Sequence, residues 1–194
     1  MPTLPAPEPL TIWTIGHSTV EAAAFREVLR SHGIGLVVDV RHRPGSRRNP
    51  QFDQDALRTA LAGDGIRYAH LPALGGHRAP RADSRNRAWR IAAFRGYADH
   101  MESAEFAAGV GALLDFARAA RAAFMCAEGS WRDCHRSLIA DHLKASGHRV
   151  LHLRGLAEPE EHPYTRAARL VGGRLSYGGD VAEEGVQLRL DLDG

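Results

Sequence analysis

The sequence predicts an α/β fold of three layers: a mainly parallel five-stranded sheet with helices on both faces, followed by a C-terminal tail. Three observations predict it. Short apolar runs alternate with amphipathic stretches in the order β-α-β-α-β-α-α-β-α-β. The runs are almost continuously apolar, as strands covered on both faces are. The length of 194 residues suits one α/β domain with an extension.

Residues 1–10, with four prolines up to Pro9, read as a flexible arm. Thr11 to Gly16 is a first strand carrying Ile12, Trp13 and Ile15. A helix is expected next: Ser18 and Glu21 have capping-box spacing, Phe25, Val28, Leu29 and His32 share one face, and Gly33 supplies the terminating position. Ile34 to Val40 is a second strand. Arg41 to Phe52, with Pro44, Gly45, Ser46 and Pro50 among its arginines, is a long loop. Asp53 to Leu61 predicts a short helix, Ile66 to Leu71 a third strand, and Pro72 to Asn86 a second basic loop. Helices are expected over Trp89 to Met101 and Glu105 to Ala120, the latter striped by Phe106, Val110, Leu113 and Ala117. Ala122 to Cys126 is a fourth strand. Leu138, Ile139, His142 and Leu143 mark a helix closed by Gly147, and Val150 to Leu153 is a fifth strand. Residues 11–154 form the predicted domain. Residues 155–194, rich in glycine and with acidic Glu158, Glu160 and Glu161, read as an appended tail.

A 44% hydrophobic and 25% charged composition excludes a disordered or collagen-like chain. No apolar run approaches the roughly 20 residues that cross a bilayer, and Met1 to Leu10 lacks the basic-then-apolar pattern of a secretion signal. A cytoplasmic protein with no membrane partner is expected. Two cysteines make no disulfide framework. From Arg41 to Arg95 there are 12 arginines against four aspartates, a local +8, so the remainder carries −6 of the overall +2. Such a segment suits a phosphate-bearing partner; the plain alternative is a solvated basic face.

In open parallel sheets ligands sit outside the carboxyl ends of the strands. His17 and Ser18 follow the first strand; Asp39, Arg41, Ser46 and Arg47 close or follow the second; Gly75 and Gly76 follow the third; Cys126, Glu128, Cys134, His135 and Arg136 close or follow the fourth. Four separate stretches therefore converge on one edge. If Asp133 caps the following helix, Cys134 lies in its first turn beside His135 and Arg136, which favours thiolate and makes a nucleophile or redox thiol; otherwise it is an inert core cysteine. Cys126 reads as core. Glu128 and Asp39 are candidate acid or base groups, or members of buried ion pairs. Cys126 to Arg132 has the C-x5-R spacing of a phosphatase loop, but the expected cap at Asp133 argues against it. No metal site is expected, because Cys134 and His135 on one helix would point about 100° apart.

Thr14-Ile15-Gly16-His17-Ser18, Asp39-Val40-Arg41 with Pro44 and Ser46, Tyr68 to Gly76 (YAHLPALGG), and Cys126-Ala127-Glu128 with Cys134-His135-Arg136 together resemble the bacterial and archaeal family catalogued as domain of unknown function 488. The resemblance spans about Ile12 to Leu153 and implies that these positions form a common site; some relatives carry a DNA-repair label. Gln187, Leu188, Leu190 and Leu192 resemble the Q-L-x-L-x-L hexapeptide that docks bacterial replication and repair proteins on the DNA sliding clamp; the alternative is an edge strand. The expected function is binding of nucleic acid or another phosphorylated ligand at the sheet edge. A small-molecule enzyme using Cys134 and an adaptor recruited through its tail are the alternatives. The sequence names no cofactor.

Overall fold

The computed structural model describes residues 8–45 and 48–178. Ser46, Arg47 and the hexapeptide with Gln187, Leu188, Leu190 and Leu192 lie outside the described residues.

Parallel strands β1 (Thr11–Gly16), β2 (Leu36–Asp39), β3 (Arg67–His70), β4 (Ala122–Cys126) and β5 (Arg149–His152) build the sheet, with β6 (Glu160–Glu161) antiparallel at one edge in the order β3-β2-β4-β1-β5-β6. Helices α1 (Ala22–Ser31), α2 (Gln54–Ala62), α3 (Ala92–His100), α4 (Ala104–Ala119) and α5 (Arg136–Ala145) connect them. The two-residue period of a strand sorts its side chains between two cores. Ile12, Leu36, Val38, Phe124 and Val150 meet Tyr97, Phe106, Leu113, Leu138 and Leu143 of α3, α4 and α5. Trp13, Ile15, Val37, Met125 and Leu151 meet Phe25, Leu29, Leu57 and Leu61 of α1 and α2. Burial from both sides is why the inner strands β2 and β4 read as apolar runs, and each fully buried side chain of this size contributes about 1.5–3 kcal/mol. Among the described residues, no helix is long and apolar enough to cross a membrane.

The helix ends differ from expectation in one instructive place. Gly33 does end α1 in a left-handed conformation (φ 64°). The Ser18–Glu21 capping box does not form: α1 begins at Ala22 with Glu21 at its cap position, and Ser18 is itself left-handed (φ 49°), held by its N–H to the Ala127 carbonyl at 2.8 Å. The turn serves the sheet edge rather than the helix. Ser103, by contrast, caps α4 by accepting from the Phe106 N–H at 3.1 Å.

The stretch after Gly155 continues the fold through Tyr177, so the main sheet has six strands against the five expected. Strands β7 (Arg169–Val171) and β8 (Arg174–Ser176) form a hairpin whose two-residue loop, Gly172-Gly173, has positive φ at both positions, as the tightest hairpin turn requires. Few aliphatic residues announce this region because a polar network anchors it. The buried Asp141 carboxylate on α5 accepts from Thr165 Oγ1 (2.5 Å), Thr165 N (2.9 Å), Tyr177 OH (2.8 Å) and His162 Nε2 (3.0 Å). The Nδ1 atom of His162 lies 2.8 Å from Nε2 of His152 in β5.

A second carboxylate ties α1 to the turn after α2. Asp64 accepts from Arg26 Nη2 at 2.7 Å and from Arg30 Nη1 at 2.9 Å, and the Arg26 hydrogen bond, helped by Arg30, holds its carboxyl down to about 2. A depressed carboxyl contributes stability that is complete above the unfolded value near 4 and is lost as pH falls toward 2. Urea unfolding of Asp64→Asn should therefore show a destabilisation at pH 7 that shrinks across this window. An equal deficit at pH 7 and pH 2 would contradict the assignment.

Candidate functional site

The chain runs β1, β2, β3 toward one edge, then inserts β4 between β2 and β1 and places β5 on the far side of β1. The carboxyl ends of β2, β4 and β1 therefore open side by side, where such sheets bind ligands. A cavity of about 1080 Å³ lies there, lined by His17, Ser18, Arg41, Gly76, Cys126, Glu128, Cys134 and His135 among others. The predicted convergence is observed for these eight residues.

Backbone bonds join the strand ends: the His17 N–H donates to the Cys126 carbonyl at 3.1 Å, beside the Ser18 bond to Ala127. Gly16 allows the approach, since a Cβ there would fall 1.8 Å from the Glu128 carbonyl oxygen. Gly75 and Gly76 are needed for close approach. A Cβ on Gly75 would meet the His42 Cα at 2.8 Å, and one on Gly76 would meet Nδ1 of His135 at 2.9 Å.

Asp39 does not reach the cavity. Fully buried, it accepts from Arg41 N (3.0 Å), Arg41 Nη2 (2.6 Å) and the Tyr68 hydroxyl (2.7 Å), so of its two readings the geometry matches the buried ion pair. Burial and this carboxylate push the Tyr68 phenol up. Arg41 also donates to the Phe52 carbonyl at 2.8 Å and lies 3.3 Å from His17 Nε2. An arginine can only donate and the Ser18 carbonyl, 2.8 Å from His17 Nδ1, can only accept, so His17 is the Nδ1-protonated neutral tautomer. Burial, with the Arg41 charge, lowers it to about 4.

The cysteine loop departs from expectation. Helix α5 starts at Arg136 with His135 at its cap position, so Asp133 is not the cap and Cys134 precedes the helix. With Cys134 and His135 in a turn ahead of the helix, their polar atoms converge, Cys134 Sγ lying 3.8 Å from His135 Nδ1. The sulfurs of Cys126 and Cys134 and Nδ1 of His135 all lie within 4.8 Å of one another. Glu128 Oε2 stands 2.8 Å from Cys126 Sγ and 3.1 Å from Cys134 Sγ. Arg136, only 1% exposed, does not line this cavity: Nε donates to Cys134 Sγ (3.3 Å), Nη1 to Thr14 Oγ1 (3.1 Å) and Nη2 to the Glu128 carbonyl (2.6 Å). Burial opposes ionisation of Cys134, but its contacts with Cys126 and His135 and the nearby Arg136 charge outweigh it and hold this thiol well below its ordinary value. Cys126 is pushed up by its bond to Cys134, by burial and by the neighbouring negative charge. The C-x5-R spacing makes no phosphatase loop, since Arg132 lies over the Trp131 ring and pairs with Glu160.

Several lining residues carried no sequence signal. Tyr97 projects from α3, donates to the Leu74 carbonyl at 2.8 Å and packs 5.0 Å from the His135 ring. His42, His77, Ile91 and Phe94 complete one side of the cavity, beside Arg43, which the arginine-rich loop did signal. His77 holds a left-handed φ of 61°, uncommon outside glycine, directly after the two glycines.

An open α/β sheet with a cavity of sulfur, carboxylate and imidazole groups at its carboxyl edge defines the class of protein. Within it, the chain belongs to the family described as Domain of unknown function DUF488, whose model matches residues 21–143. The match takes in Asp39–Arg41, Tyr68–Gly76 and Cys126–Arg136 and excludes residues 14–18. No curated protein and no solved structure matches the chain.

Proposed function

We propose that the protein binds a phosphate-bearing ligand, and specifically a single nucleic-acid strand, across the carboxyl-edge cavity. The observation that carries this reading is the composition of the rim. His42, Arg43 and His77, from the two basic loops, flank the opening, and Phe94 and Ile91 stand beside them. Among the described residues, Arg43 has no carboxylate partner, and Ile91 is 60% exposed. A cationic rim tracks a phosphodiester backbone while an apolar and aromatic wall stacks bases, and this pairing is tolerant of sequence. Action in DNA repair and recruitment to a sliding clamp through residues 187–192 extend the same reading.

Fluorescence anisotropy with a labelled oligonucleotide, measured from low to physiological salt, tests it. Affinity should fall steeply as salt rises, because phosphate neutralisation releases counterions. Arg43→Ala should weaken binding on every sequence and reduce the salt slope by about 0.7, the share of one phosphate on a single strand. Binding that is absent or indifferent to salt would remove the proposal.

A further inference from the structure

We propose that Cys126, Cys134 and His135 form a binding site for zinc, with its remaining coordination position open to the cavity beside Glu128. The inference stands on the geometry of these side chains and not on the nucleic-acid reading.

Three features carry it. First, the ligand set converges. Nδ1 of His135 lies 3.9 Å from Cys126 Sγ and 3.8 Å from Cys134 Sγ. In a tetrahedral zinc site, with Zn–S near 2.3 Å and Zn–N near 2.0–2.1 Å, a sulfur and a nitrogen stand about 3.6 Å apart. A few tenths of an ångström of inward movement brings both sulfur–nitrogen separations to that value, and the two sulfurs lie within 4.8 Å of each other.

Second, the histidine is held in the ligating tautomer. Its Nε2 lies 3.3 Å from the Val40 carbonyl, which can only accept, so the ring proton is on Nε2 and the Nδ1 lone pair faces the sulfurs. Donation of the outer N–H to a backbone carbonyl is the usual support of a metal-bound histidine. Gly76 leaves Nδ1 room, since any Cβ there would stand 2.9 Å from it.

Third, the surroundings suit metal-bound thiolates. Arg136 Nε donates to Cys134 Sγ from a fully enclosed position, and the other hydrogen-bond acceptors of its guanidinium are a hydroxyl and backbone carbonyls. Two sulfurs and one imidazole are a borderline-soft set that selects zinc over magnesium or calcium. Both cysteines are buried at the floor of the cavity, which they line together with Glu128 and His135. Three protein ligands with one open position are the arrangement of catalytic rather than structural zinc. Glu128, adjacent to the open position, is placed to take a proton from a bound water.

The test uses the full chain, stripped with a chelator and titrated with zinc alone, then with cobalt as a spectroscopic substitute. One zinc per chain is expected, and the cobalt form should show thiolate-to-metal charge-transfer absorption. Cys126→Ser and Cys134→Ser should each reduce that absorption, and His135→Ala should weaken zinc binding more than about a hundredfold. His32→Ala, on the surface at the end of α1, should leave binding unchanged. Circular dichroism establishes which variants fold; should the cysteine variants not fold, His135→Ala alone decides, since unchanged affinity there overturns the proposal. It is equally overturned by cobalt bound without thiolate absorption, or by a stripped chain that takes up no zinc while its two thiols react freely with an alkylating reagent. Oligonucleotide binding measured on the stripped and zinc-loaded chain separates the two readings: zinc uptake without strand binding leaves this site standing and removes only the nucleic-acid function.

Discussion

Asp39→Ala is expected to cost about 3–5 kcal/mol of stability, because it leaves the Arg41 guanidinium buried without its counter-charge. The carboxylate is wholly enclosed and the Arg41 side chain is only 7% exposed. Removing Asp39 orphans three donors together: the Arg41 backbone N–H, its guanidinium and the Tyr68 hydroxyl. Asp39 belongs to β2 and Arg41 to the first turn of the basic loop, so the pair sets where that loop leaves the sheet. Arg41 in turn holds His17 in its neutral tautomer, so the damage should reach the cavity. A double replacement, Asp39→Ala with Arg41→Met, should recover much of the loss, since a buried pair exchanged for apolar groups is often neutral. Urea unfolding of the two variants decides: a single variant within 1 kcal/mol of the parent, or a double variant no better than the single, would show that the pair does not hold the loop.

The second large effect is expected at the other edge of the sheet. Asp141→Ala removes the acceptor for Thr165, Tyr177 and His162 at once, and the loss is again about 3–5 kcal/mol, since each buried donor left unpaired costs about 1–3 kcal/mol before relaxation. The consequence is also local. Residues 160–178 are fastened to α5 through this carboxylate, through the Lys144 ammonium donating to the His162 carbonyl at 2.6 Å, and through buried His162, Ala168 and Tyr177. Hydrogen exchange should therefore show β6, β7 and β8 losing protection ahead of β1 and β4. Uniform protection across the chain, with little change in unfolding free energy, would mean that apolar contacts alone hold the segment.

The contrast between these two carboxylates shows what was legible beforehand. Asp39 stood out because it ends an apolar strand and is followed by arginine, yet a sequence cannot say whether such a group faces solvent or a partner. Asp141 gave no signal at all: it lies on a helix among apolar residues, and its partners are 21 to 36 positions away. The cysteine loop fell between these cases. Its residue types pointed to chemistry, but the assumption that Asp133 begins the helix separated Cys134 from His135, and the true start at Arg136 brings them together.

By itself the sequence determined the α/β alternation, the limits of β1 and β4, the glycine stop of α1 and the edge on which polar residues gather. These follow from local rules, because a strand covered on both faces must be apolar throughout and the residues after it must leave at its carboxyl end. Only the tertiary structure decided the strand order, the docking of residues 160–178, the enclosure of Asp39 and Arg136, and the meeting of Cys126, Cys134 and His135. Each of these depends on contacts between segments distant along the chain, and their energies arise from desolvation and directional hydrogen bonds that no local pattern records.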